Sequence, residues 1–199
     1  MTSKRIAILA AASAALLGLA GCMTPVGPVE VTRFHQGAAQ LGRGTIAVEA
    51  APGLDAKSLE LATYNQAVAR ELTRLGYQIV PEGTGAQVAM VRLERATMQP
   101  GGERSPVSVG GGASVGSYGS GVGLGIGIDL SGKPKARVNT RLSVTIRDRA
   151  SGQTLWEGRA NFTVSASAPL AQTPLGAPRM AAALLSDFPG NNGETVEVK

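Results

Sequence analysis

Apolar and polar residues alternate at period two in several stretches of the chain, the signature of half-buried strands. Thr45-Ile46-Ala47-Val48-Glu49-Ala50 is one, and Gln87 to Thr97, with Ala89, Val91 and Leu93 on one face, is another. Lys135 to Arg147 and Thr154 to Ala166 form two arms around Asp148-Arg149-Ala150-Ser151-Gly152, a hairpin pattern. In the first arm Val138, Leu142, Val144 and Ile146 share a face, opposite Lys135, Arg137, Arg141, Ser143, Thr145 and Arg147. In the second arm Trp156, Phe162 and Val164 share a face, so the apolar sides of both arms meet one core. Val29-Glu30-Val31-Thr32-Arg33-Phe34 reads as a short entry strand with Phe34 as its first core residue, and Tyr77 to Val80 as a strand stopped by Pro81.

The period changes to 3.6 between Ser58 and Leu75. Leu61, Tyr64, Val68, Leu72 and Leu75 make one apolar stripe, while Glu60, Gln66, Arg70 and Arg74 lie off it. Asp55 or Ser58 can cap its start, and Gly76 can take the left-handed conformation that ends a helix. Near the end, Met180, Leu184 and Phe188 recur every four residues, which predicts a second helix over Arg179–Phe188. Pro169, Pro174 and Pro178 read as the link before it, and the last residues, 191–199, as a frayed tail.

Gly101 to Gly132 holds 12 glycines in 32 residues. Glycine costs about 1 kcal/mol per residue in a helix, so an extended form is favoured. From Gly121 the segment places Val122, Leu124, Ile126, Ile128 and Leu130 on one side and glycines with Asp129 on the other. It reads as a poorly ordered Gly/Ser stretch that leads into a flexible strand or lid. The element order predicts an α+β domain over 44–190: an antiparallel β-sheet of about five strands, two helices packed on one face, and a Gly-rich insertion at 101–132.

The N-terminus carries a different pattern. Lys4 and Arg5 precede an uncharged run, Ile6 to Ala20, that would reach roughly 22 Å as a helix. A membrane core is about 30 Å thick, so the run fits a signal peptide, 1–21, and not an anchor. Leu19-Ala20-Gly21-Cys22 resembles the lipobox of bacterial lipoproteins. That resemblance implies cleavage between Gly21 and Cys22, with acyl chains such as palmitate on Cys22 and residues 22–43 as lipidated N-terminus and tether. Met23 after the cysteine, where Asp would mark retention, implies transfer to the outer membrane, and the domain is expected on its periplasmic face.

Composition narrows the chemistry. Of the 19 basic residues, removing Lys4 and Arg5 leaves 17 against 14 acidic ones, a nearly balanced surface. With dispersed charge and few aromatics, nucleic acid is an unlikely partner class. Cys22 is the sole cysteine and His35 the sole histidine, so no intramolecular disulfide can form and no His-rich metal site or cofactor is expected. Gly112-Ala113-Ser114-Val115-Gly116 matches the Gly-x-Ser-x-Gly nucleophile pattern, but no histidine follows Ser114. Glu94, Asp129 and Glu157 form no pair that spacing brings together. No catalytic set emerges, and the chain is read as non-enzymatic. Lys133, Lys135, Arg137 and Arg141 form a basic face that can meet anionic head groups on a tethered domain, although a solvated sheet face is the plainer reading.

The chain also resembles a family of bacterial lipoproteins known as a domain of unknown function, DUF 4136. The resemblance rests on the lipobox, on Arg70-Glu71-Leu72-Thr73-Arg74-Leu75-Gly76-Tyr77, and on the glycine-rich insert. It rests also on the hairpin from Asp148 to Gly158 with Trp156, and on Leu184-Leu185-Ser186-Asp187-Phe188-Pro189. It implies an envelope lipoprotein without assigning an activity. The first expectation is a lipid-anchored binding or assembly module in the periplasm, with the membrane and an envelope protein as partners. The alternative is a carrier of a small apolar ligand or lipid, with Gly121–Leu130 as a lid. Cells grown with labelled palmitate are expected to label the wild-type protein and not Cys22→Ala; label retained by the variant overturns the lipobox reading.

Overall fold

The computed structural model describes residues 27–37, 39, 41–99, 107–116, 119–128 and 135–199. The strands, in chain order, are β1 (Val29–His35), β2 (Thr45–Ala50), β3 (Gln78–Ile79), β4 (Gln87–Met98), β5 (Val107–Gly116), β6 (Gly119–Ile128), β7 (Arg137–Asp148), β8 (Thr154–Ser165) and β9 (Thr195–Val198). The helices are α1 (Leu59–Arg74) and α2 (Thr173–Leu185), the latter preceded by a 3-10 turn at Pro169–Ala171. One sheet has seven strands in the order β3-β2-β4-β7-β8-β1-β9, and β5 and β6 pair separately as a two-stranded ribbon. Signal peptide, Gly21, Cys22 and Lys133 lie outside the described residues.

The fold is α+β with two helices, but the sheet is larger than the expected five strands and is mixed. β2 runs parallel to both β3 and β4. Parallel neighbours require a crossover, and α1, inserted between β2 and β3, supplies it. The tail is a strand as well. β9 pairs antiparallel with β1 from Val29↔Val198 to Thr32↔Thr195, covering backbone groups that β1 would otherwise leave unpaired.

α1 begins where its cap predicts, with the Leu61 amide donating to Ser58 Oγ at 3.3 Å. Its stripe of Leu61, Tyr64, Val68 and Leu72 is buried, joined by Ala67. Gly76 follows at φ +101°, and a Cβ there would lie 2.8 Å from the Gly42 carbonyl oxygen, so both backbone angle and space call for glycine. α2 starts six residues before the predicted Arg179. Pro174 sits in its first turn, where a missing N–H costs nothing. The helix also stops short of Phe188, whose ring instead meets Trp156 at 5.2 Å between centroids, tilted by 49°.

Period two holds in β1, but with the opposite parity from that expected at its end. Pairing of Val31 with Ala160 and Arg33 with Gly158 sends Val29, Val31 and Arg33 inward. Phe34 therefore faces outward and is 41% exposed, whereas Arg33 is 4% exposed. The side-chain period is two, so the register decides the whole face. Trp156, Tyr64, Phe162, Leu72, Leu142, Met180 and Leu184 fill the layer between sheet and helices. Gly158 leaves the notch in which the Trp156 indole lies: a Cβ there would run into that ring and sit 2.8 Å from Leu184 Cδ1. Trp156 Nε1 donates to the Pro189 carbonyl at 2.9 Å.

Arg33 carries charge into this layer and finds partners at the end of α2. Its Nε donates to the Leu184 carbonyl at 3.0 Å. Its Nη2 donates to the Ala183 carbonyl at 3.0 Å and to Ser186 Oγ at 3.0 Å. The last-turn carbonyls of a helix lack internal donors and carry its negative dipole end, so a guanidinium satisfies both needs. Burial draws the Arg33 pKa down, while the charges of Asp187 and Glu194 oppose that shift. Two further ion pairs tie elements together. Glu49 accepts from Arg149 at 2.6 Å and from the Gly83 amide at 2.9 Å. Glu60 meets Arg95 at 2.5 Å and accepts from Thr173 Oγ1 at 2.8 Å, joining α1, β4 and α2.

Arg33→Leu is expected to destabilise the domain by about 2–4 kcal/mol in urea unfolding, because buried carbonyls lose charged donors. Arg33→Lys should recover only part of this; a loss under about 0.5 kcal/mol for the leucine variant removes the role assigned to the guanidinium. Burial works against the charge on Glu49 and Glu60, yet their donors outweigh it and hold both carboxyls below the usual range. The stability they contribute is present above the ordinary Glu value of about 4.3 and is lost as pH falls through the depressed values. Thermal unfolding should therefore hold level from neutral pH to about 5 and fall below about 4, less steeply for Glu49→Gln/Glu60→Gln; equal slopes contradict the assignment.

Candidate functional site

Both helices cover one face of the seven-stranded sheet, and the other face is open and polar. Strand register builds that face row by row. One row runs Glu94, Arg141, Asn161, Glu30 and Glu197 across β4, β7, β8, β1 and β9. The next runs Arg92, Ser143, Arg159, Thr32 and Thr195 across the same strands. A third runs Met90, Thr145, Glu157 and Phe34, and Arg147 lies beyond it opposite Val88. Successive residues of a strand point to opposite faces, so all these positions fall on the same side. The twisted surface forms a groove of about 760 Å3 lined by Ala51, Pro52 and the residues of these rows other than Val88, Phe34 and Glu197.

Charge is distributed unevenly within it. Arg141 reaches Glu94 at 3.3 Å and Asn161 Oδ1 at 3.4 Å. Arg159 is held by Glu157, two residues away on the same strand face, at 2.6 Å, with its guanidinium 5.9 Å above the Phe34 ring. Thr32 and Thr195 share a hydrogen bond of 2.7 Å across β1 and β9. Arg92 donates to the Pro52 carbonyl at 3.2 Å. Among the described residues, neither Arg92 nor Arg147 has a carboxylate within ion-pair reach. The β4 and β7 side of the groove is thus cationic, and the β1 side carries Glu30. Such a surface can bind groups by charge and hydrogen bonding. Among the described residues that line it, none is a histidine or cysteine.

Of the predicted basic face, Arg141 lines this groove. Lys135 and Arg137 are exposed at the start of β7, where Arg137 pairs with Met98 and Ser165, outside the groove lining. Glu94 and Glu157, unconnected in the linear pattern, each meet an arginine. Arg92, Arg159 and Glu30 were legible only as polar members of alternating strands, and cross-strand register is what joins them to Arg141 and Arg147. Ser114 lies in β5 opposite Gly121, and another strand follows it, so the strand-to-helix turn that a nucleophile elbow needs is absent at that serine.

An uncharacterized protein of Zymomonas mobilis is 26% identical over 86% of this chain and 80% of its own length. Among solved structures, a PDZ domain protein from Parabacteroides distasonis aligns with a TM-score of 0.49 and 14% identity; the match covers 86% of this chain but only 39% of that one. The PelC dodecamer from Paraburkholderia phytofirmans aligns with a TM-score of 0.47 and 12% identity, over 79% of this chain and 95% of that one. The model of the family described as "Domain of unknown function (DUF4136)" matches residues 42–190, from just before β2 to the end of the segment that follows α2, and the chain belongs to that family.

Proposed function

We propose that the protein is a lipid-anchored envelope lipoprotein, held through Cys22 at the periplasmic face of the outer membrane, and that it acts there as a non-enzymatic binding module. Its ligand is a polar molecule that carries carboxylate or phosphate groups, seated on the open face of the sheet. The observation that carries this reading is the pair Arg92 and Arg147, two guanidiniums facing the groove with no carboxylate partner among the described residues. Guanidinium presents a planar fork of donors that matches carboxylate and phosphate oxygens, and each charge-assisted hydrogen bond adds about 1.5–3 kcal/mol. Neighbouring Asn161, Ser143, Thr145 and Thr32 supply neutral donors and acceptors for hydroxyls beside those groups. The carrier alternative needs an apolar cavity, and the layer between helices and sheet is instead filled by Trp156, Tyr64, Phe162 and Met180. The polar face is therefore favoured.

Titration with oligouronides and with inorganic phosphate tests the groove. The wild-type domain should bind at least one of them, and Arg92→Ala/Arg147→Ala should weaken binding tenfold or more. Each arginine is exposed, so the variant's unfolding free energy should stay within about 0.5 kcal/mol of wild type. No binding by the wild type, or equal binding by the variant, overturns the proposal.

A further inference from the structure

The β5–β6 ribbon lies outside the seven-stranded sheet, and its composition is unlike that of any other part of the chain. Each strand has 10 residues. They pair without interruption from Val107↔Ile128 to Gly116↔Gly119. The expected strand from Gly121 is present as β6, and residues 107–116, expected within a poorly ordered stretch, pair with it as a regular antiparallel ladder. The ribbon is the connection between β4 and β7, whose facing ends pair as Met98↔Arg137. Among the described residues, neither of its edges pairs with another strand.

Register sorts its residues into two kinds of row. Val107/Ile128, Val109/Ile126, Gly111/Leu124 and Ala113/Val122 alternate with Ser108/Gly127, Gly110/Gly125, Gly112/Gly123 and Ser114/Gly121. One face is thus assigned aliphatic residues and the other only glycine and serine. No charged residue occurs from Ser105 to Ile128, whereas Arg104 and Asp129 flank the segment directly. In water such a ribbon is poorly placed. Two strands alone are marginal, glycine adds backbone entropy to lose, and a row of aliphatic residues favours apolar surroundings over water.

We propose that this ribbon is a membrane-spanning β-hairpin, closed into a barrel by the ribbons of further copies of the chain. A strand of 10 residues extends about 33 Å and, tilted by about 45°, crosses about 23 Å, close to the roughly 25 Å apolar band of outer-membrane barrels. Alternation of apolar with bare or polar positions is the pattern those barrels use, the aliphatic row meeting acyl chains and the Gly/Ser row lining the lumen. In hydrocarbon the open edges must be paired, and one ribbon cannot pair with itself. Closure then takes copies in a ring. The smallest such barrels have about eight strands, which sets a minimum of about four chains. Among the described residues no helix is long and apolar enough to cross a membrane, so any crossing by those residues falls to strands. The inference does not rest on the groove or on lipid at Cys22.

The test uses the full chain, purified in detergent and reconstituted into phosphatidylethanolamine/phosphatidylglycerol vesicles loaded with calcein. The wild type should release dye and crosslink as a species of about four copies or more. Leu124→Asp/Ile126→Asp, on the aliphatic face, should slow release more than tenfold. Ser114→Asp, on the opposite face, should keep release and shift permeability toward cations. Trp156, buried in the main core and the only tryptophan, reports by its emission that the domain stays folded in each variant. Absence of release by the wild type, unchanged release by the aliphatic-face variant, or equal loss in both variants overturns the proposal. Detergent reconstitution bypasses the anchor, so such a failure leaves the lipoprotein reading intact, and loss of palmitate label leaves this one intact.

Discussion

The guanidinium of Arg33 is the point at which the two ends of the domain are joined. It reaches from β1, near the start of the described chain, to last-turn carbonyls of α2 that lie 150 and 151 positions away. A buried charge is tolerated only when its donors are satisfied, and here the helix end needs those donors as much as the arginine needs acceptors. The Arg33 carbonyl in turn accepts from the Gly193 amide at 2.8 Å, which leads the chain into β9. One residue, turned inward by the pairing of β1 with β8, therefore holds α2 over the sheet and helps to position the final strand. Both β1 and β9 lie outside the 42–190 span that the family shares, yet the sheet incorporates them as fully as the strands inside it.

Burying one face of the sheet under two helices has a consequence for the other. The inward-facing rows are mostly apolar, so most polar residues of β1, β4, β7, β8 and β9 fall on the opposite side. Glu94 with Arg141 and Glu157 with Arg159 cancel locally, and such exposed pairs contribute little to stability. Their neighbours Arg92 and Arg147 are then the features that distinguish this face from an ordinary solvated surface. The short outer strands, β3 with 2 residues and β9 with 4, leave little edge on the main sheet for strand addition.

The ribbon presents the opposite problem. Its hydrogen-bond ladder is regular, but half of its rows consist only of glycine and serine, which offer little apolar surface. Glycine in a strand is usually a weakness. Where two backbones or a lumen must come close, the same lack of a side chain is a geometric asset. The proposed barrel uses both properties: hydrocarbon covers the aliphatic rows, and neighbouring copies satisfy the edges.

The linear pattern was enough to specify elements whose signal is local. The stripe from Leu61 to Leu72, the Ser58 cap, Gly76 and the arms around Asp148–Gly152 are each encoded within a few residues of where they act. The Leu-Ala-Gly-Cys ending is likewise readable as a string, because the chemistry it resembles acts on an extended segment. Tertiary structure decided what depends on partners distant in sequence. Phe34 and Arg33 exchanged places because pairing with β8 selects the parity of β1, and residues 195–198 became a strand because β1 needed a neighbour. Pro174 starts α2 without cost, and Pro178 fell inside it, since packing of the apolar face carries the helix past that residue's local cost. Arg92, Arg141, Arg147 and Arg159 came together only through cross-strand register, which no single strand contains.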